Sequence, residues 1–84
     1  MDALYHPPVK RSVEIAGHKT SISLEPLFWE ILRRAAVREG VPLNALVARI
    51  DAERIDADPA PGLATALRLW LVADLARHLD NPGI

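Results

Sequence analysis

The chain has no cysteine, and that absence sets the first limits on what it can be. Without thiols it forms no disulfide and no thiolate zinc site, so neither device reinforces the fold, and the redox compartment is left open. A basic excess is missing as well: 10 Lys and Arg stand against 11 Asp and Glu, for a net charge of −1, unlike the strongly basic balance expected of a nucleic-acid binder. Long hydrophobic runs are also absent. The most apolar stretch, Leu63 to Ala76, is interrupted by Arg68 and Asp74 and is too short to span a bilayer. The opening residues lack the basic start and apolar run of a signal peptide, so a cytoplasmic protein with no membrane partner is expected.

The elements of catalysis are missing too. No Gly-rich phosphate loop and no nucleophile–base pair can be assembled. His6, His18 and His78 fall in three separate segments without metal-ligand spacing. Carboxylates such as Glu30 stand at helical salt-bridge spacing from Arg33 and Arg34. The sequence reads as a non-enzyme that needs no cofactor and holds no metal.

What is present is a short, apolar chain with an uneven charge distribution. At 84 residues, a single domain buries only ~60% of the surface it exposes when unfolded. With 50% hydrophobic residues and no covalent reinforcement, the expected stabiliser is a second copy of the chain. In residues 1–24, Lys10, Arg11 and Lys19 outnumber Asp2 and Glu14, whereas acids prevail in residues 41–58. Any anion-attracting surface therefore belongs to the N-terminal end.

Residues 1–9 carry a Pro7-Pro8 pair and no periodicity, and read as an extended arm. Polar and apolar residues then alternate over two runs, predicting strands at about 11–15 and 19–24. A two-residue type II′ turn at Gly17-His18 would join them, pairing Ala16 with Lys19, Ile15 with Thr20, Glu14 with Ser21, Val13 with Ile22 and Ser12 with Ser23. Val13, Ile15 and Ile22 then share one face, and Ser12, Glu14, Ser21 and Ser23 the other. A first helix is predicted over 26–39, opened by Pro26 and closed by Gly40, with Leu27, Phe28, Ile31, Leu32, Ala35 and Ala36 as its apolar stripe. Trp29 falls beside that stripe, set to stack on Arg33 at the surface or to meet a partner. A second helix over 42–54 follows, with Leu43, Leu46, Val47 and Ile50 on one side. The ribbon and these two helices make a core of residues 10–55. Residues 56–62, rich in acid and proline, form a loop. A third helix over 63–79 is apolar on most sides and is expected to be buried between subunits or under the other helices. The last residues, "DNPGI", read as a frayed end.

The order strand, helix, turn, helix, carried by "KTSISLEPLFWEILRRAA" and then "EGVPLNALVARI", resembles the ribbon-helix-helix family of Arc and MetJ type. The lead-in "RSVEIAGHKTSISLE" is similar to that of a mostly uncharacterised bacterial subgroup. The resemblance implies a mainly α fold with a short antiparallel β-ribbon, an intertwined homodimer and here an additional C-terminal helix. It also implies a DNA-binding transcription regulator, whose ribbon enters the major groove. Carried over by position, Lys19, Ser21 and Ser23 would contact bases. Leu43 and Asn44, at the start of the second helix, would hold a backbone phosphate, and Lys10 and Arg11 would grip the backbone beside the ribbon.

A second reading stays open, in which the same scaffold is a protein-interaction or oligomerisation module without DNA binding, or the antitoxin half of a toxin–antitoxin pair. Pro42 removes an N–H donor near the phosphate position. A paired leading strand would give the dimer four strands, roughly 15–19 Å across, against a major groove ~12 Å wide. Glu14 would repel phosphates. The third helix could double a dimer to a tetramer.

Overall fold

The computed structural model describes residues 2–80. A two-stranded antiparallel hairpin is followed by three helices, so the expected mainly α chain with a short antiparallel ribbon and an additional C-terminal helix is the one observed. After a single 3-10 turn at Asp2–Tyr5, where an extended arm was expected, come β1 (Val9–Ile15) and β2 (His18–Leu24). Then follow α1 (Pro26–Glu39), α2 (Leu43–Ile55) and α3 (Leu63–Asp80). The frayed end expected at the C-terminus lies, beyond Asp80, outside the described residues.

The hairpin differs from expectation in its turn. Ala16 and Gly17, not Gly17 and His18, are the two linking residues, and both have positive φ, 51° and 82°. That is the signature of a type I′ turn, whose twist matches that of the strands. Val9 consequently faces Leu24, Ser12 faces Ser21, and Glu14 faces Lys19. This register pairs all seven residues of each strand. The expected one would have placed Val9 against Pro26, which already belongs to α1. Moving the register by two residues leaves the faces intact, because side chains alternate with period two. Val13, Ile15, Ile22 and Leu24 are buried, and Lys10, Ser12, Glu14, Lys19, Ser21 and Ser23 are exposed on the other side.

Beneath the hairpin lie Leu32, Ala35 and Ala36 of α1, Leu46, Val47 and Ile50 of α2, and Ala66, Leu67 and Leu71 of α3. In α1 the buried stripe is turned by about one position from the expected one. Trp29 is in the core, 4% exposed, and its Nε1–H donates to the Val9 carbonyl at 2.9 Å, while Leu27 is exposed. Gly40, at φ 72°, closes α1: its N–H donates to the Val37 carbonyl and the Val41 N–H to that of Ala36, a Schellman arrangement.

Two ion pairs fasten α3 to the rest. Asp74, only 3% exposed, accepts from Arg38 of α1 at 2.6 Å and from Arg77 at 2.8 Å. Arg68 donates to Glu25 at 3.0 Å and lies over the Phe28 ring. Within the single chain α3 packs one side under the other helices, as one branch of the expectation had it, and leaves its other side open. Leu69, Val72, Leu75 and Leu79 face outward. No helix among the described residues is long and apolar enough to cross a membrane.

Candidate nucleic-acid interface

The sequence-predicted contact residues fall into two groups. Lys19, Ser21 and Ser23 stand in one row on the outward face of β2, all exposed. Spacing of two strand residues puts neighbours in that row ~6.6–6.8 Å apart. Lys10 joins the same face, directly across from Ser23, and Ser12 faces Ser21. The face thus has a hydroxyl pair at its centre, a lysine at each of two opposite corners, and Glu14 across from Lys19 at the turn end.

Arg11 belongs elsewhere. It is next to Lys10 in sequence and so points to the helix side, where its guanidinium lies 5.3 Å from the centroid of the Trp29 ring. The expected partner of Trp29 was Arg33; Arg11 takes that place. Arg33 instead binds Glu30, which bridges it to Arg34 at 2.7 and 2.8 Å. Hydrogen bonds from Arg33 and then Arg34 hold the Glu30 carboxyl below its ordinary value, and Glu30 raises Arg33 in return.

The structure brings Arg11 together with the start of α2. A cleft of about 200 Å³ is lined by Arg11, Pro26, Trp29, Glu30, Arg33 and Leu43. Pro42, at φ −61° and ψ 152°, is the residue preceding α2 rather than its first helical residue, and no side chain caps the helix. Its carbonyl takes the N–H groups of Ala45 and Leu46. The N–H groups of Leu43 and Asn44 lie ahead of that first ladder bond, as the orphan donors of a helix start do. Proline therefore removes the donor at the capping position and leaves these two. Arg33 was not anticipated at this rim. Its sequence signal is the "RR" pair on the first helix, which at helical spacing points only to salt bridges with Glu30.

The hairpin also has an open edge. In a two-residue hairpin the pair closing the turn, Ile15 and His18, is hydrogen bonded, and bonding alternates from there. Backbone groups of His18, Thr20, Ile22 and Leu24 thus point toward β1, and those of Lys19, Ser21 and Ser23 point away from it. The Ser23 carbonyl is reached from that outer side by Arg68 at 3.5 Å.

A second concavity, about 370 Å³, lies at the turn end and is lined by Ile15, His18, Thr20, Asp51, Arg54 and Leu63 among others. Its charges are matched internally: Arg54 binds Asp51 at 2.8 Å and the Pro61 carbonyl at 3.1 Å. Among the described residues no three His, Cys, Asp or Glu side chains are grouped to hold a metal ion.

The ribbon-helix-helix domain family matches residues 8–75. Among solved structures, an uncharacterized protein from Bordetella pertussis Tohama I is similar at a TM-score of 0.79 and 26% sequence identity. The match covers 95% of this chain and 64% of that one, so the present chain spans less than two thirds of its relative's length. No curated protein matches the sequence.

Proposed function

The chain belongs to the ribbon-helix-helix domain family, whose members generally bind DNA as transcription regulators or antitoxins, and on that premise we propose that it is a cytoplasmic, homodimeric DNA-binding regulator that reads DNA with the outward face of its hairpin. The observation that carries the reading is the row Lys19, Ser21, Ser23 on β2, exposed on a strand whose opposite face is core and whose outer backbone edge is unpaired by β1.

Two chains joined antiparallel along that edge, through the backbone groups of Lys19, Ser21 and Ser23, form a four-stranded sheet with the two β2 strands at its centre. Strands are ~4.8 Å apart, so the central pair fits a groove ~12 Å wide while the outer strands lie toward its walls. Lys19 then reaches base edges, where lysine donates to guanine O6 and N7, and Ser21 and Ser23 contact bases with little discrimination. Lys10, on the outer strand, falls beside the phosphates. Arg11 and the Leu43 and Asn44 N–H groups face a phosphate further along the strand, where a helix start and a guanidinium favour an anion.

A second reading, a scaffold that binds another protein, draws on Glu14 in the outward face and on the full-length pairing of β1, which doubles the breadth of the ribbon. Fluorescence anisotropy with mixed-sequence duplex DNA at several salt concentrations separates the two. DNA binding gives a log K that falls with log salt at about 0.9 per phosphate neutralised. No binding at low salt transfers the chain to the second reading.

A further inference from the structure

We propose that the outward face of α3 is a helix-to-helix seam for α3 of a second copy of this chain, separate from the β2 edge, so that the protein assembles as a tetramer. Thr65, Leu69, Val72, Ala76 and Leu79 succeed one another at spacings of 4, 3, 4 and 3 residues, and all are exposed. That alternation of three and four is the a/d spacing by which one helix packs knobs into the holes of another. It is distinct from the inward set Ala66, Leu67 and Leu71, which the chain's own core already uses. Asp74 lies opposite the seam and is buried against α1 through Arg38.

The seam's partner is identified by what borders it. At mid-seam the flanking positions hold Ala73 and Leu75, with Arg68 flanking only its start, rather than the run of charges that would select an unlike helix, and the two alanines Ala73 and Ala76 let backbones approach closely. The neighbouring cations are engaged within the chain, Arg68 by Glu25 and Arg77 by Asp74, so two copies meet without facing unpaired like charges. α3 has no lysine, which leaves little to attract an anionic lipid surface.

The area fits as well. Leu69, Val72, Leu75 and Leu79 are 62%, 54%, 43% and 77% exposed. With the alanines they offer on the order of 500 Å² of apolar surface, toward the top of the ~300–600 Å² that monomers leave open. A polar rim around it brings the face near the ~800 Å² per partner of a specific interface, of which ~65% is apolar in homodimers. The seam runs about 15 Å from Leu69 to Leu79, short enough for two helices to cross antiparallel about a two-fold axis near Ala73.

Sedimentation velocity of the full chain and of a Leu69→Glu/Val72→Glu variant tests this, with circular dichroism as the check on folding. The expected result is a four-chain species for the wild type and a folded two-chain species for the variant. A wild type of two chains with a one-chain variant supports the seam and overturns the β2-edge dimer instead. A wild type of one chain, or equal masses for wild type and variant, overturns the seam. Should the glutamates unfold the chain, Val72→Cys/Ala76→Cys in this cysteine-free protein replaces them. Interchain disulfide formation under mild oxidation supports the seam, and its absence overturns it.

Discussion

Arg11 lies over the indole of Trp29, 5.3 Å from its centroid, while the Trp29 Nε1–H holds the Val9 carbonyl two residues before it. One aromatic side chain therefore fixes both the start and the inner face of β1, the strand that distinguishes this sheet from a bare ribbon. Trp29→Ala is expected to destabilise the fold by about 3–5 kcal/mol through the cavity it opens. Trp29→Phe should cost less, about 0.5–1.5 kcal/mol for the lost Nε1–H bond, since the Val9 carbonyl keeps its strand partner Leu24. Denaturant unfolding at equal protein concentration measures both; equal losses would contradict the hydrogen bond's role.

The turn carries a residue ill suited to it. Ala16 sits at φ 51°, where a side chain other than Gly, Asn or Asp is strained by about 1–2 kcal/mol. Ala16→Asn, giving the Asn-Gly pair that type I′ turns prefer, should raise stability by about 0.5–1 kcal/mol. That corresponds to a few degrees in Tm for a domain of this size, roughly 4–8 °C per kcal/mol. A lower Tm would mean that the turn takes another form in solution.

The same turn shows how far the sequence could be read. Alternation assigned Val13, Ile15 and Ile22 to the core face and Ser12, Glu14, Ser21 and Ser23 to the outer one, yet it could not choose between registers two residues apart, because both keep the faces. The choice was made by strand length and by Pro26, which cannot be a strand partner once it opens α1. Trp29 was misplaced for a related reason. A helical stripe can be centred on Leu32 with either Phe28 or Trp29 at its margin, and the presence of β1 above α1 decided for Trp29. In α3, leucines at every fourth position hid two different faces: Leu67 and Leu71 turn inward, Leu75 and Leu79 outward. Of the proposed contact residues, Lys19, Ser21 and Ser23 share a face because period two requires it. The proximity of Arg11 to Leu43 depends on how β1 crosses the helices, which no local pattern encodes.

Acid should weaken the Glu25–Arg68 link between the end of β2 and α3. The Glu25 carboxyl is held below its ordinary value of 4.5, chiefly by its own backbone N–H, with desolvation opposing and the hydrogen bond and charge of Arg68 assisting. A carboxylate depressed in the fold contributes stability that is present above its unfolded value and is lost as pH falls through the folded one. Stability should therefore decline below about pH 4.5, and the penalty of Arg68→Ala should be larger at about pH 7 than at about pH 3. A penalty independent of pH would assign Arg68 to packing on Phe28 alone.

Lys19 and Glu14 oppose each other across the strands, and their substitutions should act in opposite directions on DNA. Lys19→Ala is expected to weaken specific binding by about 1–3 kcal/mol. Glu14→Gln, which removes a carboxylate from the same face, should strengthen it by on the order of 0.5–1 kcal/mol at low salt. Anisotropy titrations of both variants at one salt concentration provide the check, and two changes of the same sign would exclude this face as the DNA contact.

The central claim is that DNA meets the outward face of the hairpin, and amide chemical-shift mapping on adding duplex DNA tests it at the residues named. The account predicts shifts at Lys10, Lys19, Ser21 and Ser23, and at Leu43 and Asn44 beside the Arg11 cleft, with the outward residues of α3 unmoved. Shifts confined to α3, or none at low salt, would contradict it.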